Sequence, residues 1–186
     1  MDFPILTAVT FTPLAGAVLI LLVRALVGGQ DDNRVLYAGL IFSAATFLIS
    51  LVMLFAFDPG LTGYQLLEKV DWFAGVQYKL GVDGLSLSLI LLTTFLTPIA
   101  IYASIGSIQT RLTEYIVAFL VLETFMIGVF CALDLVVFYI FFEAGLIPMF
   151  IIIGVWGGAD RVYASFKFFL YTLLGSLFML AAVVYM

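Results

Sequence analysis

Residues 115–156 read YIVAFLVLETFMIGVFCALDLVVFYIFFEAGLIPMFIIIGVW, an almost unbroken apolar run with one polar notch at Leu133-Asp134. Two helices joined by a tight turn at the notch place Glu123 and Glu143 ten residues to either side of Leu133. At about 1.5 Å rise per residue, each carboxylate lies roughly 15 Å from the turn. A hydrocarbon core is about 30 Å thick, so both sit near its middle and at matching depth. A carboxylate there costs about 2.5–3.5 kcal/mol on insertion scales. Two at one depth on adjacent helices are therefore the first candidates for function.

The rest of the composition agrees with a membrane setting. The chain is 65% hydrophobic and 10% charged, with a mean hydropathy of +1.27. A soluble domain carries roughly 25% charge. The apolar runs are twice the length of barrel strands and do not alternate, which excludes a transmembrane barrel. The expected fold is all-α: a polytopic transmembrane helix bundle with six membrane spans. The net charge of −5 is spread over short loops, and no basic patch points to nucleic acid. The single cysteine, Cys131, excludes an intrachain disulfide framework and a multi-cysteine metal site. Histidine is absent, which excludes haem ligation and proton relays through it.

Going outward from the central stretch, spans are expected at Phe3–Val23, Leu36–Phe57, Leu85–Ser107, Tyr115–Leu133, Leu135–Trp156 and Tyr163–Met186. The first is too long for a signal-peptide core and lacks a basic flank, so it is read as a retained helix. Pro13 should kink it. Gly28 to Arg34 is expected to be a polar loop. The external loop 58–82 is the one long hydrophilic segment. Its alternation near Leu67–Trp72 and Gln77–Leu80 fits a short β-hairpin; an irregular loop with Trp72 and Tyr78 as interface anchors fits as well. Asp83 or Ser86 is expected near a helix cap, and Asp134 at a helix N-terminus. The organisation expected is residues 1–112, three N-terminal helices with the external loop, then residues 113–186, helices four to six. Most loop cations fall on one side: Arg24, Arg34, Arg111, Arg161 and Lys167, against Lys69 and Lys79. The positive side is normally cytoplasmic, so the N-terminus and the external loop should face outward, into the periplasm in a bacterium.

Glu143 is the stronger site candidate. Burial in a low-dielectric medium favours the protonated carboxyl, whereas a nearby cation favours the charged form. A glutamate near a movable cation can thus load and release a proton. Pro148, five residues on, cannot donate to the carbonyl of Ala144, and Gly145 adds slack. That loosened turn is where a hydrated path would run. The alternative is a protonated glutamate gluing helices together. Glu123 follows the same logic without a proline, with Thr124 and Gly128 permitting close packing. Lys167 either snorkels to the interface or acts as an inward relay. Phe138, Tyr139, Phe141 and Phe142 read as packing surface, and Cys131 as a small buried hydrophobe.

The run FYIFFEAGLIPMFIIIGVWGG at 138–158 resembles the signature of the subunit M (chain 4) family of proton-pumping NADH:quinone oxidoreductase, respiratory complex I. VDGLSLSL at 82–89, LETFMIG at 122–128 and KFFLYTLLGS at 167–176 resemble it too, and the Glu-Ala-Gly-Leu-Ile-Pro-Met form resembles M rather than its paralogues L and N. The wording is similar to the alphaproteobacterial form, with a plant-type mitochondrial one as the alternative.

The resemblance implies an antiporter-like subunit of about fourteen helices built on two inverted five-helix repeats, of which this chain would cover about the first third. It implies proton translocation through Glu143, Glu123 and Lys167, beside the helix break that Pro148 and Gly145 make by their own chemistry. The essential lysines lie on later helices. No redox catalysis and no cofactor are expected in this chain. NADH, FMN, iron–sulfur clusters and quinone are expected in other subunits. The expected partners are other membrane-arm subunits, L and N among them, and lipid. The expected location is the bacterial inner membrane, with the mitochondrial inner membrane as alternative. Two other functions stay open: a subunit of a related multi-subunit cation/proton antiporter or membrane-bound hydrogenase, and a purely structural scaffold.

Overall fold

The computed structural model describes residues 4–27, 32–61, 63–71, 77–108 and 110–185. Six helices are long and apolar enough to cross a membrane. They are α1 (Ile5–Val27), α2 (Asp32–Ala56), α3 (Gly84–Ala103), α4 (Leu112–Cys131), α5 (Leu135–Trp156) and α6 (Arg161–Tyr185). With the composition, they make this an integral membrane protein, and the polytopic bundle expected from the sequence is present.

Most boundaries differ from expectation by a few residues, and each has a local cause. Helix α2 starts at Asp32, so the second half of the expected polar loop is helical. Helix α3 stops at Ala103 because a turn through residues 104–107 follows, with Gly106 at φ +79°. Helix α4 starts earlier than expected, at Leu112, behind Arg111 in the left-handed region. Both predicted acidic caps form. Asp83 accepts from the Ser86 amide at 2.7 Å, and Asp134 accepts from Val136 and Val137 at 2.8 and 3.3 Å. Helix α1 runs on through Pro13.

The hydrophilic loop 58–82 does form a hairpin. Strand β1 (Gln65–Asp71) pairs antiparallel with β2 (Gln77–Val82), with a register irregularity between Gln65 and Glu68. Trp72, read as an interface anchor, lies outside the described residues. Tyr78 packs against the bundle core. It is half-buried, with its hydroxyl 3.3 Å from that of Thr7, and burial pushes its pKa above the usual phenol range. The hairpin is fastened to the bundle because β2 is only partly polar. Leu80 and Val82 are fully buried beside Leu6, Val9, Ile127 and Cys131. Cys131 is the buried hydrophobe expected.

Helix α4 is the hub, touching α1, α2, α3 and α5, whereas α6 touches only α5. Its packing needs small residues. Gly128 accommodates the ring of Phe141, which a Cβ there would strike. At the end away from the hairpin, the Trp156 indole donates to the Thr110 carbonyl at 2.9 Å. There too Arg24 lies 3.5 Å from Glu114.

Candidate functional site

Glu123 and Glu143 hold the matched depth read from the sequence. Each lies eight residues from the helix end flanking the 132–134 turn, counted from Cys131 and from Leu135. That is about 12 Å of helix on either side. They do not share a groove.

Glu123 is 1% exposed. It lines a cavity of about 310 Å³ between α3 and α4, with Thr93 and Thr97 on the opposite wall and no residue of α5. The two hydroxyls donate within their own helix: Thr93 to the Leu89 carbonyl at 2.9 Å and Thr97 to the Thr93 carbonyl at 3.0 Å. Neither oxygen of Glu123 has a well-formed hydrogen bond, although the Thr97 hydroxyl stands close beside the carboxylate.

Glu143 is half-buried, with Oε1 buried and unpartnered. One helical turn earlier on the same face, the Tyr139 hydroxyl lies close to both Glu143 and Ser176 of α6. Glu143 is therefore associated with α6, and Glu123 with α3. Among the described residues, the buried side-chain oxygens left without partners are Glu123 Oε1 and Oε2 and Glu143 Oε1.

The turn after Glu143 adjoins open space. Ala144, Ile147 and Pro148 line a groove of about 460 Å³ between α4 and α5 that reaches Leu21 of α1 and Glu114. Gly145 is not held by close packing, since an added Cβ would meet only the Phe125 Cβ at 3.6 Å. Lys167 is not brought to either glutamate. It is exposed on the outer face of α6, its Nζ 5.7 Å from the ring centre of Tyr163. Tyr139, expected as packing surface, stands beside Glu143, and Thr93, Thr97 and Ser176 join the two sites without having stood out in the sequence. The four-residue spacing from Tyr139 to Glu143 was the available signal. No group of three or more potential metal ligands exists among the described residues.

Residues 33–131 match the family model described as NADH-ubiquinone oxidoreductase chain 4, amino terminus. The chain belongs to the chain 4 (subunit M) family of NADH:quinone oxidoreductase. Residues 132–186 match a second model, the transmembrane family of NADH:quinone oxidoreductase and Mrp antiporters. Among subunit M relatives, the Rhodobacter capsulatus protein is 54% identical over 98% of this chain and 35% of its own length. The Arabidopsis thaliana chain 4 is 44% identical over 96% of this chain and 36% of its own. The chain spans about a third of the length of these relatives.

In structure, it superimposes on a chain of respiratory complex I from Thermus thermophilus with a TM-score of 0.78 at 30% identity, covering 96% of this chain and 35% of that one. The membrane-bound sulfane sulfur reductase, an archaeal respiratory membrane complex, shares the fold at a TM-score of 0.71 and 22% identity, over 98% of this chain and 27% of its own. The two matched regions meet at 131/132, in the turn between α4 and α5, so Glu123 lies in the first and Glu143 in the second.

Proposed function

We propose that the chain is part of a proton-translocating membrane-arm subunit of NADH:quinone oxidoreductase, with Glu143 as its main protonation site and Glu123 as a second. The observation that carries this reading is the orphaned pair. Among the described residues, the unpartnered buried oxygens fall on these two glutamates. Leaving a buried acceptor unpaired costs about 1–3 kcal/mol, more when charged. A bound proton or an approaching cation relieves that cost. Intramembrane carboxylates of this kind mark ion and proton pathways.

Proton access from the cytoplasm fits the groove beside Pro148. It runs from Glu114, next to Arg24, to Ala144, one residue beyond Glu143. We assign this arginine-flanked end to the cytoplasm, which turns the N-terminus and the hairpin outward. Switching follows from electrostatics. Unit charges 4 Å apart interact by about 4 kcal/mol at an effective dielectric of 20. That corresponds to roughly three pKa units, enough for a moving cation to load and unload a carboxyl. Lys167 ranks third, because it stands over Tyr163 away from both glutamates.

Redox chemistry, with NADH, FMN, iron–sulfur clusters and quinone, is assigned to other subunits. Subunits L and N are the proposed neighbours in a bacterial inner membrane, and residues 113–186 the start of the translocating repeat. An Mrp-type antiporter is the weaker reading, because residues 33–131 match the chain 4 model specifically.

The test is Glu143→Gln in the complete host complex. Assembly should survive, while NADH-driven proton uptake by inverted vesicles falls about tenfold or more. Normal uptake with normal electron transfer would leave the buried carboxylate a structural role and sink the proposal.

A further inference from the structure

The Thr97 hydroxyl stands between two acceptors with one proton to give. It donates to the Thr93 carbonyl at 3.0 Å, one turn back in α3, and lies close beside the Glu123 carboxylate on α4. A threonine hydroxyl offers a single donor and two acceptor lone pairs. It cannot serve both oxygens at once, so Glu123, 1% exposed, is left without a well-formed bond.

The surroundings confine this exchange to the two residues. Among the described residues that line the cavity, Glu123, Thr93 and Thr97 are polar, and Glu123 is the charged one. The Thr93 hydroxyl donates to the Leu89 carbonyl at 2.9 Å. Thr124, next to Glu123, donates to the Leu120 carbonyl at 3.1 Å. Thr94 lies 2.8 Å from the Ser50 hydroxyl of α2.

Turning the Thr97 hydroxyl costs little. In a continuous helix the Thr93 carbonyl also accepts from the Thr97 amide, so it stays paired when the hydroxyl leaves. Pro98, the next residue, brings no amide hydrogen to the Thr94 carbonyl, and the turn that carries Thr97 is one bond short. The return is larger, because a bond to a charged acceptor is stronger than one to a neutral carbonyl. A protonated Glu123 needs no such donor. Its own proton can go to a lone pair of the Thr97 oxygen while the hydroxyl stays on Thr93.

We propose that Thr97 is the positioning residue of Glu123, its hydroxyl held by the Thr93 carbonyl while Glu123 is protonated and turned to the carboxylate when the proton leaves. This rests on the reading of Glu123 as a protonation site. It adds a group within this chain that stabilises the charged form, whatever covers the cavity.

The experiment is infrared difference spectroscopy of the complete host complex through a pH jump. The protonated-carboxyl band lost in Glu123→Gln marks Glu123. Thr97→Val exchanges the hydroxyl for a methyl. It should move that band to higher wavenumber and slow proton uptake by inverted vesicles about tenfold, the effect of one lost hydrogen bond to a charged group. Thr97→Ser restores the oxygen and should return both readings to wild type. Serine as impaired as valine would mean that the threonine methyl matters and the hydroxyl does not, which overturns the proposal. Thr97→Ala removes the same oxygen should valine fail to assemble. A Glu123 band unmoved in Thr97→Val or Thr97→Ala overturns the role of Thr97 alone. A wild-type complex with no Glu123-dependent band overturns the reading of Glu123 as a protonation site and the proposal with it, so the two failures are told apart.

Discussion

Glu68, on the β1–β2 hairpin, caps the first helix through Thr7, sixty-one residues away in sequence. Its carboxylate accepts from the Leu6 amide at 2.7 Å, from the Thr7 amide at 3.0 Å, and from the Thr7 hydroxyl. A helix leaves its first four amides without internal partners, and α1 has no acidic residue in its own first turn. The hairpin supplies the missing acceptor and fixes itself to the bundle in the same contact. Glu68→Ala is therefore expected to lower stability by about 1–2 kcal/mol, the range of a lost helix cap. Amide exchange at Leu6 and Thr7 should accelerate together with that of β1. Exchange that speeds up in α1 while β1 stays protected would show that the cap does not hold the hairpin.

Close packing of α4 on α5 turns on one missing Cβ. Gly128→Ala drives a methyl into the Phe141 ring, and overpacking of this kind costs about 1–3 kcal/mol. Phe141→Leu in the same chain should recover most of the loss, because it removes the atoms that clash. Gly145→Ala is the control. Its new Cβ meets only Phe125 at 3.6 Å, so thermal stability in detergent should change by no more than about 0.5 kcal/mol.

The sequence carried the fold further than it carried the site. Helix α5 was readable to the residue, because Asp134 before it and Gly157-Gly158 after it are unambiguous punctuation. Helix α2 was harder: Asp32, Asn33 and Arg34 look like loop, and only the structure shows the helix taking them in. The depth of the two glutamates was legible because rise per residue is fixed. Their facing was not. A helix that is apolar all round has no polar stripe to orient it, so nothing in α4 or α5 told that Glu123 turns to α3 and Glu143 to α6. The place of Tyr78 was left open for a related reason. An aromatic beside a membrane suits the interface, and its burial depends on Thr7, which is remote in sequence.

Acid should reveal the cap of α3. The Ser86 amide, donating to Asp83 at 2.7 Å, holds the Asp83 carboxyl below its usual range. A carboxylate whose pKa is depressed by folding stabilises the fold above its unfolded value, about 3.9 for aspartate. That contribution is lost as the pH falls through the folded value. Asp83→Asn is thus expected to melt below wild type near neutral pH, with the gap closing once the pH drops below the ordinary carboxylate range. A gap that stays constant from neutral pH into acid would mean that the charge of Asp83 plays no part.

Tyr139 provides the sharpest test of how Glu143 is held. Its hydroxyl lies close to the carboxylate and to Ser176 of α6, at the depth of the proposed protonation site. It is a positioning residue. Tyr139→Phe keeps the ring and removes only the hydroxyl beside Glu143, a polar contact worth about 1 kcal/mol at most. On that basis proton uptake by inverted vesicles should fall about fivefold, with assembly unchanged. The decisive comparison is the double variant. If Tyr139 acts only through Glu143, then Tyr139→Phe added to Glu143→Gln should change uptake no further than Glu143→Gln alone. An additional drop in the double variant would place the work of Tyr139 elsewhere, with Ser176 and the seating of α6 as the first place to look.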